Sequence, residues 1–179
     1  LALVRPLVRA GLVPPDFPLT VNAVSGYSGG GKAMIAEFEG GEAKTAYRGY
    51  ALGLGHKHVA EMQRHARLEH APIFTPAVAN TYRGMVVEVP LALNALPRKP
   101  SLHVVEAVLT EAYRDTPLVR VIEDGDAFVR IEDDAGTDRL SIRVCGNADA
   151  GHARLIATLD NLGKGAAGAA VQNLNLMVG

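Results

Sequence analysis

Residues 21–32 read VNAVSGYSGGGK. An apolar run enters this stretch and the amphipathic run Ala33-Met34-Ile35-Ala36-Glu37-Phe38 leaves it, so strand, glycine loop and helix start follow one another directly. The consecutive Gly29, Gly30 and Gly31 let the backbone reach positive φ and approach a ligand with no Cβ in the way. Lys32 opens the helix, whose free N–H groups point back into the loop, an arrangement suited to an anion. Gly26, Gly31 and Lys32 satisfy most of the phosphate-loop pattern, but Ala33 stands where the magnesium-ligating hydroxyl belongs, which removes a needed ligand. A glycine turn with no ligand is the competing reading.

Outward from this loop the pattern predicts an α+β fold, with a mixed, largely antiparallel sheet covered by helices on one face. An opening helix ends near Gly11, and Pro14-Pro15 makes a rigid turn into a buried strand over 19–24. A short helix over 32–39 precedes a polar excursion over 40–55, in which Tyr47 and Tyr50 offer apolar bodies. Residues 57–68 have helical spacing, and 72–78 and 84–93 read as strands. Ser101 caps a helix over 102–113. Strands are expected over 118–122, 139–145 and 153–159, and a closing helix over 166–177. Glu132-Asp133-Asp134 reads as a solvated turn.

The chain has 179 residues, 48% of them hydrophobic, enough for one globular domain with a real core over 1–179. The net charge of −1, with scattered Lys and Arg, gives no basic stripe for nucleic acid. No apolar run is long enough to span a membrane, and Arg5, Pro6 and Arg9 break the apolar start, which argues against a signal peptide. The single cysteine can form no internal disulfide, so a reducing, cytoplasmic setting is expected. The first residue is Leu, and a helix is under way with no cap before it, so the chain reads as a piece of something longer.

Gly55-His56-Lys57-His58-Val59-Ala60-Glu61 is the second chemical motif. With a helix starting near Lys57, His58 and Glu61 stand three apart on one face, an acid/base with its orienting carboxylate. His56 is the second candidate for that role. His58, Glu61 and His65 also recur at metal-ligand spacing, but no second helix supplies matching ligands, so no metal is expected. Cys145 lies in an alternating strand without a nearby base or helix N-terminus, and reads as a small buried hydrophobe rather than a nucleophile. The small residues Gly163, Gly165, Ala166, Ala167 and Gly168 permit close approach to another backbone or a flat ring.

Four ordered blocks, NAVSGYSGGGK, GHKHVAEM, FTPAVANTYRGMVVEVPL and DNLGKGAAGAAVQNLNLM, resemble the C-terminal part of the N-acetyl-γ-glutamyl-phosphate reductases, the shorter bacterial type, in the aspartate-semialdehyde dehydrogenase superfamily. The resemblance runs over essentially the whole chain. It implies reduction of an acyl phosphate to an aldehyde with NADPH, in arginine biosynthesis, by way of a cysteine thioester. It further implies an NADP-binding Rossmann domain and a cysteine motif preceding Leu1, so this chain by itself is expected to be inactive. His58 matches the acid/base, with Glu61 as orienter and His56 as a substrate contact. Ser25, Gly26 and Ser28 match the substrate loop, Lys32 stands where many relatives carry arginine, and Arg83 fits a carboxylate or phosphate clamp. Asn161 and Gly165 correspond to the stretch against the nicotinamide. The domain is expected to pair as a homodimer or higher homo-oligomer. The rival reading is a non-catalytic assembly domain of a paralogue.

Overall fold

A computed structural model describes residues 1–123 and 127–178. Among these residues seven strands form one sheet in the order β2-β3-β1-β4-β7-β6-β5. They are β1 Thr20–Gly26, β2 Tyr47–Gly49, β3 Ile73–Ala79, β4 Met85–Ala92, β5 Val119–Val121, β6 Leu140–Asn147 and β7 His152–Leu159. β1 runs parallel to β3 and β5 to β6; the other four pairings are antiparallel. The expected mixed, largely antiparallel sheet is therefore found.

The period of two divides each strand between faces. Val21 and Ala23 of β1, Phe74 of β3, Val89 and Leu91 of β4, Ile142 of β6 and Leu155 and Ala157 of β7 all turn to the same side. There they meet Leu7 of α1 (Arg5–Arg9), Ala66 of α3 (Lys57–Ala66), and Val105 and Leu109 of α4 (Leu102–Tyr113). The opposite face carries Asn22, Val24, Val86, Glu88, Arg143, Arg154 and Ile156, a mixture of apolar and charged side chains. Ser101 Oγ accepts from the Val104 N–H at 3.3 Å, the cap read from the sequence.

Four expectations need correction. The polar excursion contains β2, which adds an edge strand antiparallel to β3, because its backbone groups find partners only once the chain returns beside Ala77 to Ala79. Cys145 is exposed rather than buried; it points to the face away from the helices, with its thiol toward the Arg154 carbonyl at 3.5 Å. Glu132-Asp133-Asp134 is not simply solvated. Asp134 is 1% exposed, accepts from Thr158 Oγ1 at 2.7 Å, and lies near Arg120 and Arg139 at 3.8 and 3.6 Å. The closing helix also has two parts, a π-helical turn Gly163–Ala167 followed by α5 (Gly168–Val178).

Candidate active site

The glycine loop leaves β1 as a 3₁₀ turn, Tyr27–Gly30, and enters α2 (Gly31–Glu39). Gly31 takes φ +75°, the left-handed value that favours glycine. The loop is stitched to residues 81–84 by the N–H groups of Gly26, Tyr27 and Ser28, bonded to the carbonyls of Gly84, Thr81 and Tyr82 at 2.8, 2.9 and 3.2 Å. Ser28 Oγ also donates to the Tyr82 carbonyl, at 2.5 Å. On its outer side Tyr27 stacks on Phe38 of α2 at 4.9 Å. Arg48 of β2 lies over the same Phe38 ring at 5.3 Å and pairs with Glu37 at 2.5 Å, which anchors the edge strand to α2.

His56 is the N-cap of α3. Its Nδ1 accepts from the His58 N–H at 3.2 Å, so that nitrogen carries no proton. Burial is the largest influence on this imidazole, and the neighbouring His58 and Lys57 charges add to it; together they hold its pKa below the ordinary histidine value against the pull of Glu61. The His56 ring packs edge-on to Phe74 at 5.1 Å and to His58 at 4.9 Å. His58 Nε2 stands 4.0 Å from Glu61 Oε2, the i, i+3 partner expected, with both side chains mostly exposed.

Asn161, at the end of β7, closes the other side. Its Oδ1 accepts from the Gly84 N–H at 3.0 Å, and its Nδ2 donates to Ser28 Oγ at 2.9 Å. Asp160 beside it is fully buried; Oδ1 accepts from the N–H groups of Leu162 and Gly163 at 2.7 and 3.0 Å, and Oδ2 accepts from Gly136. Arg83 reaches the same Oδ2 at 3.4 Å. Burial raises the Asp160 pKa, but the three N–H groups and Arg83 outweigh it and hold the carboxyl below its ordinary value.

These elements enclose a cleft of about 540 Å³, lined among others by Ser25, Gly26, Gly29, His56, His58, Asn161, Gly165 and Ala166. Residues drawn from β1, α3 and the turn after β7 thus converge, although more than a hundred positions separate His58 from Gly165. A Cβ on Gly29 would lie 2.9 Å from Ser25 Oγ and 3.2 Å from Asn161 Nδ2, so glycine there keeps the cleft open. Ser28 is buried and serves Asn161 from behind. Lys32 and Glu61 are exposed and outside the lining, and Arg83 turns to Asp160. Tyr50 also lines the cleft, with its ring 5.8 Å from His56, and burial raises its hydroxyl pKa. The sequence reading gave Tyr50 no role; its place follows from the return of the chain along β3, where the Tyr50 N–H bonds the Pro76 carbonyl at 3.1 Å.

The sheet order and the cleft define an α+β module of the semialdehyde dehydrogenase type, and residues 1–161 match the family described as semialdehyde dehydrogenase, dimerisation domain, to which the chain belongs. The N-acetyl-gamma-glutamyl-phosphate reductases of Brucella ovis and Brucella canis are each 50% identical to it over 187 aligned residues, covering 100% of this chain and 60% of theirs. The chain therefore spans about three fifths of the length of the curated relatives it matches. Aspartate semialdehyde dehydrogenase II from Vibrio cholerae shares the fold with a TM-score of 0.68 and 20% identity, over 99% of this chain and 58% of that one. The aspartate semialdehyde dehydrogenase from Francisella tularensis has the same TM-score at 13% identity, over 98% of this chain and 61% of that one.

Proposed function

We propose that this chain is the catalytic and subunit-pairing part of an NADP-dependent reductase that converts N-acetyl-γ-glutamyl phosphate to N-acetyl-glutamate semialdehyde, in the cytoplasm, for arginine biosynthesis. The observation that carries this reading is the convergence of His58, the Ser25–Gly29 side of the glycine loop and the small-residue wall at Gly165 and Ala166 on one cleft. It is joined by the 50% identity to reductases of that name. The reading assigns the nucleophilic cysteine and the dinucleotide fold to the part of the relatives' length that lies outside this chain.

In this reading His58 Nε2 moves a proton to and from the reacting centre, and Glu61 holds the ring by its charge. His56 fixes the backbone of His58 through the cap and stands at the cleft as a substrate contact, with Tyr50 beside it. Ser25 and the Gly26–Gly29 backbone face the acyl phosphate. Ser28 holds Asn161, Arg83 is paired with Asp160, and Lys32 at the start of α2 adds positive charge beside the glycine loop for the substrate's anionic groups. The residues present suit a nicotinamide ring: Gly29, Gly165 and Ala166 present no bulky side chain, and Asn161, bonded to Gly84 and Ser28, keeps the wall between them flat and closed. When bound, that cofactor supplies the hydride. Pairing to a homo-oligomer uses the sheet face opposite the helices, which carries Val24, Val86 and Ile156 among its charges.

The test is substrate-dependent oxidation of NADPH by the full-length gene product and by this chain alone. Turnover by the first and none by the second is the expected result. Turnover by this chain alone removes the assignment of nucleophile and cofactor fold to another part of the protein. A folded full-length protein that binds its own copy but turns over no acyl phosphate points to an assembly module.

A further inference from the structure

Asp160 does no chemistry in the reading above, yet it anchors the turn that carries the cleft-lining Gly165 and Ala166. One carboxylate oxygen takes the N–H groups of Leu162 and Gly163, which the π-helical turn leaves without helical partners. The other takes the Gly136 N–H and faces Arg83. The Asp160 carbonyl accepts from the Gly165 N–H at 2.8 Å, so the residue that lines the cleft is tied to the same anchor. The turn bearing Gly136 leans on this wall elsewhere too: a Cβ on Gly163 would lie 2.6 Å from the Thr137 carbonyl oxygen, and one on Gly168 would run into the Asp138 carboxylate. The turn is itself held from the opposite face of the sheet, where Asp134 accepts from Thr158.

Resting on the cofactor reading above, we propose that Asp160 is a positioning residue for the nicotinamide cofactor: its carboxylate sets the distance between the wall at residues 161–166 and the His58 side of the cleft. A ring held between two walls feels their separation directly, and misplacement by an ångström is costly in such sites. The acyl phosphate, placed against Ser25 and the glycine loop, feels it less.

The experiment uses the full-length protein and titrates NADPH by its fluorescence, alongside the melting temperature and the KM for acyl phosphate. Asp160→Ala is expected to weaken NADPH binding about tenfold in folded protein, with the KM for acyl phosphate moved less than about threefold. Asp160→Asn keeps an acceptor for Leu162 and Gly163 but sets its amide NH2 against the Gly136 N–H and Arg83, and is expected to recover part of the loss. If Asp160→Ala does not fold, Asp160→Ser, which retains one capping oxygen, takes its place, and an NADPH affinity at least about threefold weaker than wild type supports the proposal. Unchanged NADPH affinity in a folded variant overturns it, as does a loss shared equally by both substrates and matched to the unfolded fraction. A wild-type protein that fails to bind NADPH removes the cofactor reading itself; wild type and variants that bind equally remove this inference alone.

Discussion

Gly26→Ala tests whether the glycine loop is held by its contact with residues 81–84. Gly26 has φ −61° and ψ 153°, which alanine adopts freely, so backbone strain plays no part. The added Cβ would lie 2.7 Å from the Tyr82 carbonyl oxygen and 2.8 Å from that of Thr81, whereas ordinary contact begins at 3.4 Å. The end of β1 and the 81–84 turn must therefore part by about 0.6–0.7 Å, the difference between those distances. Both oxygens are acceptors for the loop, from Tyr27 N–H at 2.9 Å and from Ser28 N–H at 3.2 Å, and the same displacement carries these bonds beyond useful length. Overpacking of about 1–3 kcal/mol, with two hydrogen bonds weakened at about 1 kcal/mol each, gives a loss of about 3–5 kcal/mol. For a chain of this size that lowers Tm by about 6–20 °C. The control is Gly53→Ala, whose Cβ would meet nothing within 4 Å, and which is expected to stay within about 0.5 kcal/mol of wild type. Thermal unfolding by circular dichroism reads both. A Gly26→Ala protein that melts within about 2 °C of the Gly53→Ala control refutes the reasoning, because the 81–84 turn would then yield at no cost.

In the full-length protein, His58→Asn is expected to lower kcat by about 10²–10⁴ with the fold intact, and Glu61→Gln to cost less; a silent His58→Asn beside a crippling His56→Asn would exchange their roles. Asp160 has a folded pKa below its unfolded one, so its contribution to stability is complete above the ordinary carboxylate range and is lost as pH falls through the folded pKa. Acid unfolding of Asp160→Asn should accordingly show a shallower fall of stability below about pH 4 than wild type, and an unchanged slope would count against the assignment. The domain is expected to sediment as a two-fold homodimer at micromolar concentration, through the sheet face opposite the helices, with roughly 2,000 Å² buried. A clean monomer would exclude that face as sufficient for pairing.

What the sequence determined by itself was everything encoded by local period and local chemistry. The alternation in β1, the glycine run after it, Ser101 before α4 and the His58–Glu61 spacing each depend on residues within one or two turns of one another, and each is found where the pattern put it. Sheet class followed too, since the six apolar segments read as strands, separated by turns and amphipathic helices, leave few ways to bury their faces. Tertiary structure alone decided which polar groups leave water. Asp134 and Asp160 look like any surface carboxylates in the sequence, and become buried anchors because Thr158, Gly136 and Arg83 arrive from 24, 24 and 77 positions away. Arg83 turns to Asp160 for the same reason, and Tyr50 enters the cleft only because β2 finds an edge at β3. Cys145 is exposed because the helices cover only the other face of the sheet at that end of β6. A hydrophobic period records which face is buried; a partner far along the chain leaves no such record, and the charges that brace this cleft depend on partners of that kind.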